Sequence, residues 1–104
     1  MDDRVRKVYA LLQTNPGDNF LKHVLALEYV KLGDDAEARK LFEEILSNDA
    51  GFIGSYYQLG KLLERNNETA LAIECYEKGM AEAKKAGETR AYNELKTAHE
   101  ELTY

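Results

Sequence analysis

Two stretches of the sequence follow one plan and lie 34 residues apart. The first, YVKLGDDAEARKLFEEIL, covers residues 29–46, and the second, LERNNETALAIECYEKGM, covers residues 63–80. Gly33 corresponds to Asn67 and Phe42 corresponds to Tyr76, at the same offset. A sequence period of this length is typical of chains that stack one small structural unit on the next. The repeat therefore limits the fold to an array of similar units.

Each copy is predicted to be a helical hairpin, because apolar residues recur every three or four positions on both sides of the junction. Gly33 suits the left-handed conformation that ends a helix, and Asp34 with Glu37 fits a capping box that begins the next. In the second copy Asn67 replaces glycine, and Thr69 or Asn67 is expected to cap the following helix. The residues predicted to form the buried stripes are Leu25, Tyr29, Leu32, Ala38, Phe42, Ile45, Tyr56, Leu59, Gly60, Leu63, Ala72, Tyr76 and Gly79.

Both ends of the chain are predicted to be helical as well. Pro16 lies 34 residues before Ala50, so the repeat phase extends backwards and predicts a helix over residues 2–14. Gly87 is a helix stop, and the residues after it, including Tyr92 and Leu95, again follow helical spacing. These end helices are expected to cover the outer sides of the two copies.

Composition favours helix over sheet and narrows the function. The chain has 104 residues, 44% of them hydrophobic, and a formal net charge of −5. That charge argues against sequence-independent binding to nucleic acid, and no apolar run approaches the length that spans a bilayer. We expect a cytoplasmic protein. The lone cysteine, Cys75, cannot form an internal disulfide and is interpreted as a structural thiol.

Nothing in the sequence indicates an enzyme. His23 and His99 lie on different predicted helices, no glycine-rich phosphate loop occurs, and no cysteine or histidine spacing matches a metal site. We therefore expect no catalytic residue, no metal and no cofactor.

The repeated residues resemble the tetratricopeptide repeat, a 34-residue unit with the pattern W-x2-L-G-x2-Y, A-x3-F and proline. The matching positions are Lys22, Leu25, Ala26, Tyr29, Ala38 and Phe42 in the first copy and Tyr56, Leu59, Gly60, Leu63, Ala72 and Tyr76 in the second. Lys22 replaces tryptophan, Leu63 replaces tyrosine, and Ala50 and Lys84 replace proline. The resemblance implies an all-α fold, a short right-handed α-solenoid of helical hairpins with about six helices.

The implied organisation is a single domain of residues 1–104 in four parts. Residues 1–18 would form an N-terminal half-repeat cap, residues 19–52 the first repeat, residues 53–86 the second repeat, and residues 87–104 a C-terminal capping helix.

The resemblance also implies a function, that of an adaptor whose concave groove binds a peptide or helix of a partner protein. The groove positions carried over from the family are Phe20, His23, Leu27, Val30, Lys31, Tyr57, Lys61, Glu64 and Arg65, with Arg90 and Asn93 on the capping helix. Their mixture of apolar and basic side chains predicts a protein or peptide partner with apolar anchors and acidic flanks. Neither nucleic acid nor a membrane is expected as a partner.

Two alternatives to an open groove remain. In one, Phe20 and Leu27 pack beneath the N-terminal helix and the basic residues are ordinary solvated side chains. In the other, the chain is a self-associating module, a homodimer that buries the groove or an edge helix.

One specialised ligand class does not fit these positions. Family members that bind the acidic C-terminal tails of heat-shock chaperones use lysine, asparagine and arginine as a carboxylate clamp. This chain has His23 and Leu27 at the first two clamp positions, Gln58 at the next, and Arg90 and Glu94 as the nearest equivalents of the last pair. We therefore do not expect chaperone-tail binding.

Overall fold

The computed structural model of the chain describes residues 2–104. Within that range the chain forms six α-helices and no β-strand, which confirms the predicted all-α class and helix number. In chain order the helices are α1 (Asp3–Thr14), α2 (Asn19–Lys31), α3 (Asp35–Asn48), α4 (Gly54–Arg65), α5 (Thr69–Ala86) and α6 (Thr89–Thr103).

The helices divide into two compact units. The first unit ends at Asp49 and contains α1, α2 and α3, with α2 packed against both of its neighbours. The second unit, Ala50–Tyr104, contains α4, α5 and α6, with α5 packed against both of its neighbours. The division into an N-terminal cap, two repeats and a C-terminal cap stays a prediction.

The same helix ending occurs in both hairpins. Gly33 has φ +78°, and the N–H groups of Gly33 and Asp34 donate to the carbonyls of Val30 and Tyr29. Asn67 has φ +62°, and its N–H and that of Glu68 donate to carbonyls 34 residues further on, at Glu64 and Leu63. This is the Schellman pattern of a helix C-terminus, and it confirms the turn predicted at Gly33 and Asn67.

The two hairpins begin their second helices differently. The Asp34 side chain accepts a hydrogen bond from the N–H of Glu37, as predicted. The expectation that Thr69 or Asn67 caps α5 is wrong, because the residue at the cap is Glu68 and its side chain makes no capping hydrogen bond. Asn67 cannot serve, since its left-handed backbone already ends α4.

The predicted apolar stripes form the cores of the two units. In the first unit Val5, Val8 and Leu12 of α1 pack with Leu25 of α2, so α1 covers one side of the hairpin. In the second unit α6 contributes Leu95, which is almost fully buried. Leu32 departs from the prediction with 54% of its surface exposed, because α2 ends at Lys31 and the following turn carries Leu32 away from the stripe.

A buried ion pair takes the position where the family pattern has tryptophan. Lys22 is only 6% exposed, and its Nζ lies 2.9 Å from Oε1 of Glu44 on α3. The Lys22 stem thus packs between α2 and α3 while its charge is neutralised at the edge of the hairpin.

Candidate functional site

The predicted partner-binding residues of the first unit lie along α2. Phe20 is 65% exposed, so it does not pack beneath α1 as one alternative interpretation proposed. Leu27 and Val30 are half-buried, and Lys31 is exposed. The side of α2 that carries these residues is therefore mainly apolar, with one large aromatic ring open to solvent.

His23 adds a second ring to this side of α2. Its imidazole packs edge-on against Phe42 of α3, with ring centroids 5.6 Å apart and an interplanar angle of 62°. Burial lowers the pKa of His23, so its neutral form is favoured at neutral pH. His23 therefore contributes an aromatic surface to α2 without a positive charge.

Lys31 contributes less free charge than the sequence suggested. Its Nζ lies 3.6 Å from Oε1 of Glu28, and Nε of Arg4 on α1 lies 3.3 Å from the same oxygen. The Glu28 side chain is nearly buried, so two cations share one carboxylate at this end of α2. Part of the positive charge predicted for this unit is thus compensated within the chain.

In the second unit, three predicted residues lie on one side of α4. Tyr57, Lys61 and Glu64 follow one another at four- and three-residue spacing, which places them along one helix face. Lys61 Nζ lies 5.6 Å from the centroid of the Tyr57 ring and 3.5 Å from Oε2 of Glu64. The ammonium group therefore interacts with the ring on one side and a carboxylate on the other.

Tyr76 of α5 completes this group, which we term the α4 cluster: Tyr57, Lys61, Glu64 and Tyr76. The Tyr76 hydroxyl donates a hydrogen bond to Oε2 of Glu64, and its ring lies 6.4 Å from that of Tyr57. The ring also covers the backbone at Gly60, where an added Cβ would overlap it. Close approach of α4 and α5 at Gly60 thus brings a core tyrosine to a surface carboxylate.

Burial raises the pKa of Tyr76, and the hydrogen bond to Glu64 and the charge on that carboxylate raise it further. The phenol is therefore protonated at any physiological pH and acts as a hydrogen-bond donor. Glu64 is held from below by this donor and from the side by Lys61.

The two units keep the aromatic pair and differ in the polar residues around it. Thirty-four residues separate His23 from Tyr57 and Phe42 from Tyr76, and both pairs are in ring contact. At the same offset, Leu27 and Val30 of the first unit become Lys61 and Glu64. The first unit therefore presents an apolar face, and the second presents the same geometry with a polar network built on it.

The role of Tyr76 was missed by the sequence analysis, which placed it only in the buried stripe. Tyr76 is indeed fully buried, but its hydroxyl reaches the carboxylate of a predicted site residue. A signal was present, because the change from Phe42 to Tyr76 adds a hydroxyl and the change from Val30 to Glu64 adds an acceptor. A comparison of the two copies position by position would have shown that donor and acceptor appear together.

The remaining predicted residues are not joined to the α4 cluster. Arg65, the last residue of α4, and Arg90 and Asn93 of α6 are all exposed. No hydrogen bond or ion pair recorded for residues 2–104 links the side chain of Arg90 or Asn93 to Tyr57, Lys61 or Glu64. These two residues remain predicted site residues by sequence alone.

A separate cleft lies where α5 turns into α6. It has a volume of about 230 Å³ and is lined by Ala83, Lys84, Gly87, Thr89 and Tyr92. None of the predicted site residues lines it. Within residues 2–104 there is also no group of three or more histidine, cysteine, aspartate or glutamate side chains arranged to hold a metal ion.

Across residues 2–104, every helix is too short or too polar to span a lipid bilayer.

Comparison with known proteins identifies the repeat. The family model described as Tetratricopeptide repeat matches the chain twice, over residues 21–52 and 53–85. A tetratricopeptide repeat domain protein from Salinibacter ruber, solved by NMR, is similar to this chain with a TM-score of 0.80 and 37% identity. That similarity covers 84% of this chain and 88% of the Salinibacter chain.

Two further relatives are similar over different spans. The TPR2B domain of yeast Sti1, solved in a complex with pHsp70, has a TM-score of 0.88 over 95% of this chain and 79% of that chain. Its sequence identity is 16%, so it shows the fold alone. The human aspartyl/asparaginyl beta-hydroxylase is 37% identical over 73 residues, which is 67% of this chain. This chain spans only 9% of the length of the hydroxylase.

Two consecutive matches to the repeat, together with a 37% identical repeat domain of nearly the same extent, show that the chain belongs to the tetratricopeptide repeat family, whose domains are generally non-catalytic protein interaction modules.

Proposed function

We propose that this chain is an adaptor that binds a peptide or short helix of a partner protein through the solvent-facing sides of α2 and α4. The observation that carries the proposal is the α4 cluster. Tyr57, Lys61 and Glu64 are partly exposed, yet ring packing, a cation–π contact and a hydrogen bond from Tyr76 hold them in place. A surface that is ordered before binding loses less side-chain entropy when a ligand docks.

The side of α2 supports apolar anchors in the ligand. Phe20 is exposed and Leu27 and Val30 are half-buried, so an apolar side chain of a partner can remove further surface of all three from water. An acidic flank of the ligand is proposed to meet Arg65 or Arg90. The lysines are less suited to this role, because Lys31 and Lys61 already face carboxylates of their own chain.

The relatives support a protein ligand without naming one. The yeast Sti1 domain was solved with pHsp70, which shows a partner bound to the same fold. His23 and Leu27 occupy the first clamp positions here, so we do not propose that this chain binds a chaperone tail. We likewise propose no catalytic activity and no cofactor, since the match to the hydroxylase covers 9% of that enzyme.

Selection of displayed random peptides of about 12 residues on the immobilised chain tests the proposal. Binding of a selected peptide would then be titrated by fluorescence anisotropy against the parent and two variants, Phe20→Ser and Tyr57→Leu. We expect each variant to bind roughly tenfold more weakly, because central aromatic residues carry most of the energy of such contacts. The matched control is Leu71→Ser, which removes an exposed apolar side chain from α5. Equal losses in all three variants would contradict the proposal.

Self-association is the second candidate function, and the exposed apolar residues of the first unit favour it. Tyr9, Leu11 and Phe20 are each about half exposed or more. Sedimentation velocity over a range of concentrations separates the two functions. A monomer supports peptide binding, whereas a dimer that dissociates in Phe20→Ser supports self-association.

A further inference from the structure

We infer that the α4 cluster selects an uncharged hydrogen-bond donor of the ligand, an asparagine, glutamine, serine or threonine side chain, and that Glu64 is the residue that determines this specificity. The inference rests on the proposed function, because it names the chemistry of the ligand at the same site.

The first step concerns the two oxygens of Glu64. The hydrogen bond from Tyr76 and the ion pair with Lys61 both end on Oε2. Among the contacts described for residues 2–104, none is made to Oε1. The Glu64 side chain is 23% exposed, so a ligand can reach it. Tyr76 and Lys61 thus hold the carboxylate in one orientation and leave one oxygen available as an acceptor.

The second step excludes a purely apolar contact at this point. An apolar side chain docked over Glu64 would take Oε1 out of water without giving it a donor, and an unsatisfied buried acceptor is unfavourable. The Tyr57 ring, one turn away on α4, offers apolar surface beside it. The surface therefore fits a side chain with both a carbon stem and a terminal N–H or O–H group.

The third step disfavours a charged ligand group. Lys61 Nζ and Glu64 Oε2 are 3.5 Å apart and carry opposite charges. A cation brought to Oε1 is repelled by Lys61, and an anion brought to Lys61 is repelled by Glu64. Neither gains enough attraction to offset the loss of its hydration. An amide or hydroxyl is less costly to dehydrate and still satisfies Oε1.

A double-mutant cycle on the full chain tests the inference. The probe is the tightest peptide from the displayed library, with each polar or charged residue replaced by alanine in turn. Each peptide is titrated against the parent, Glu64→Gln and a control, Glu74→Gln. Glutamine keeps an acceptor for the Tyr76 hydroxyl, so the variant is expected to fold. Glu74 is the matched control because it is also paired with a lysine, Lys78, on an exposed face of the second unit.

We expect one peptide position to couple to Glu64→Gln by roughly tenfold and to carry asparagine, glutamine, serine or threonine. No position should couple to Glu74→Gln. A coupled position occupied by lysine, arginine, aspartate or glutamate would overturn the inference, as would coupling below about twofold at every position. In both cases the proposed function stands, since a peptide is bound. Failure to select any binding peptide would instead overturn the proposed function, and the inference with it.

Discussion

The hydroxyl of Tyr76 on α5 donates a hydrogen bond to the carboxylate of Glu64 on α4, joining the core of the second unit to its predicted binding surface. Thirty-four residues earlier the corresponding side chains are Phe42 and Val30, which can form no such bond. This donor and acceptor account for the main chemical difference between the two repeats.

Removing the Tyr76 hydroxyl should lower the free energy of unfolding. We expect Tyr76→Phe to cost about 1–2 kcal/mol, because the ring packing is kept while a hydrogen bond to a charged group is lost. The matched control is Tyr57→Phe, since no hydrogen bond is recorded for the Tyr57 hydroxyl within residues 2–104. That change should stay within about 0.5 kcal/mol. Urea unfolding followed by circular dichroism measures both, and equal effects would show that the Tyr76 bond contributes nothing.

The same tyrosine predicts how stability depends on pH. The pKa of Tyr76 is raised in the folded chain, so the folded state holds this proton more tightly than the unfolded state. The resulting stabilisation is complete below the unfolded pKa of about 10 and is lost as pH rises toward the folded pKa. The difference in unfolding free energy between the parent and Tyr76→Phe should therefore shrink between about pH 8 and pH 11. Tyr29, whose pKa is also raised, is present in both proteins and cancels. A constant difference across this range would argue against the assignment.

Gly60 should resist substitution although it lies inside a helix. Alanine normally stabilises a helix interior by about 1 kcal/mol relative to glycine. Here its Cβ would overlap the Tyr76 ring, so we expect Gly60→Ala to lower the free energy of unfolding by about 1–3 kcal/mol. Gly17→Ala is the control, since nothing lies within 4 Å of a Cβ added there. Thermal unfolding of both variants checks the prediction, and a neutral Gly60→Ala would mean that α4 and α5 are further apart than described.

The two helix junctions should respond in opposite directions. Gly33 has φ +78° with open space around it, so Gly33→Ala should cost about 1 kcal/mol from backbone strain alone. Asn67 has φ +62°, and Asn67→Gly relieves a non-glycine residue of that conformation. It should be neutral or slightly stabilising. Melting temperatures of the two variants test this, and a destabilising Asn67→Gly would imply that the Asn67 side chain has a structural role.

The sequence was sufficient for the helices because their signals are local. Gly33 and Asn67 require only a left-handed backbone, and the stripes that include Phe42 and Tyr76 follow from helical spacing. The error at Leu32 has the same origin, since the periodic pattern continues one residue past the point where α2 ends. Local patterns therefore predict helix existence better than the burial of residues at helix ends.

The chemistry of the candidate site was less accessible from the sequence. Tyr57, Lys61 and Glu64 were selected as family positions, but their mutual contacts depend on how closely α5 approaches α4 at Gly60. The ion pair of Lys31 with Glu28 likewise depends on the burial of Glu28 beside α1. Spacing alone predicted free positive charge at both lysines, because it does not show which carboxylate each ammonium group meets.

The central claim is that a ligand docks on the solvent-facing sides of α2 and α4. Amide chemical-shift mapping of the isotopically labelled chain, titrated with a selected peptide, tests it most directly. We predict the largest changes at Phe20, His23 and Leu27 in the first unit and at Tyr57, Lys61 and Glu64 in the second. The exposed residues Lys40 of α3 and Lys78 of α5 should change little. Changes concentrated on α3 and α5, with α2 and α4 unaffected, would contradict the account.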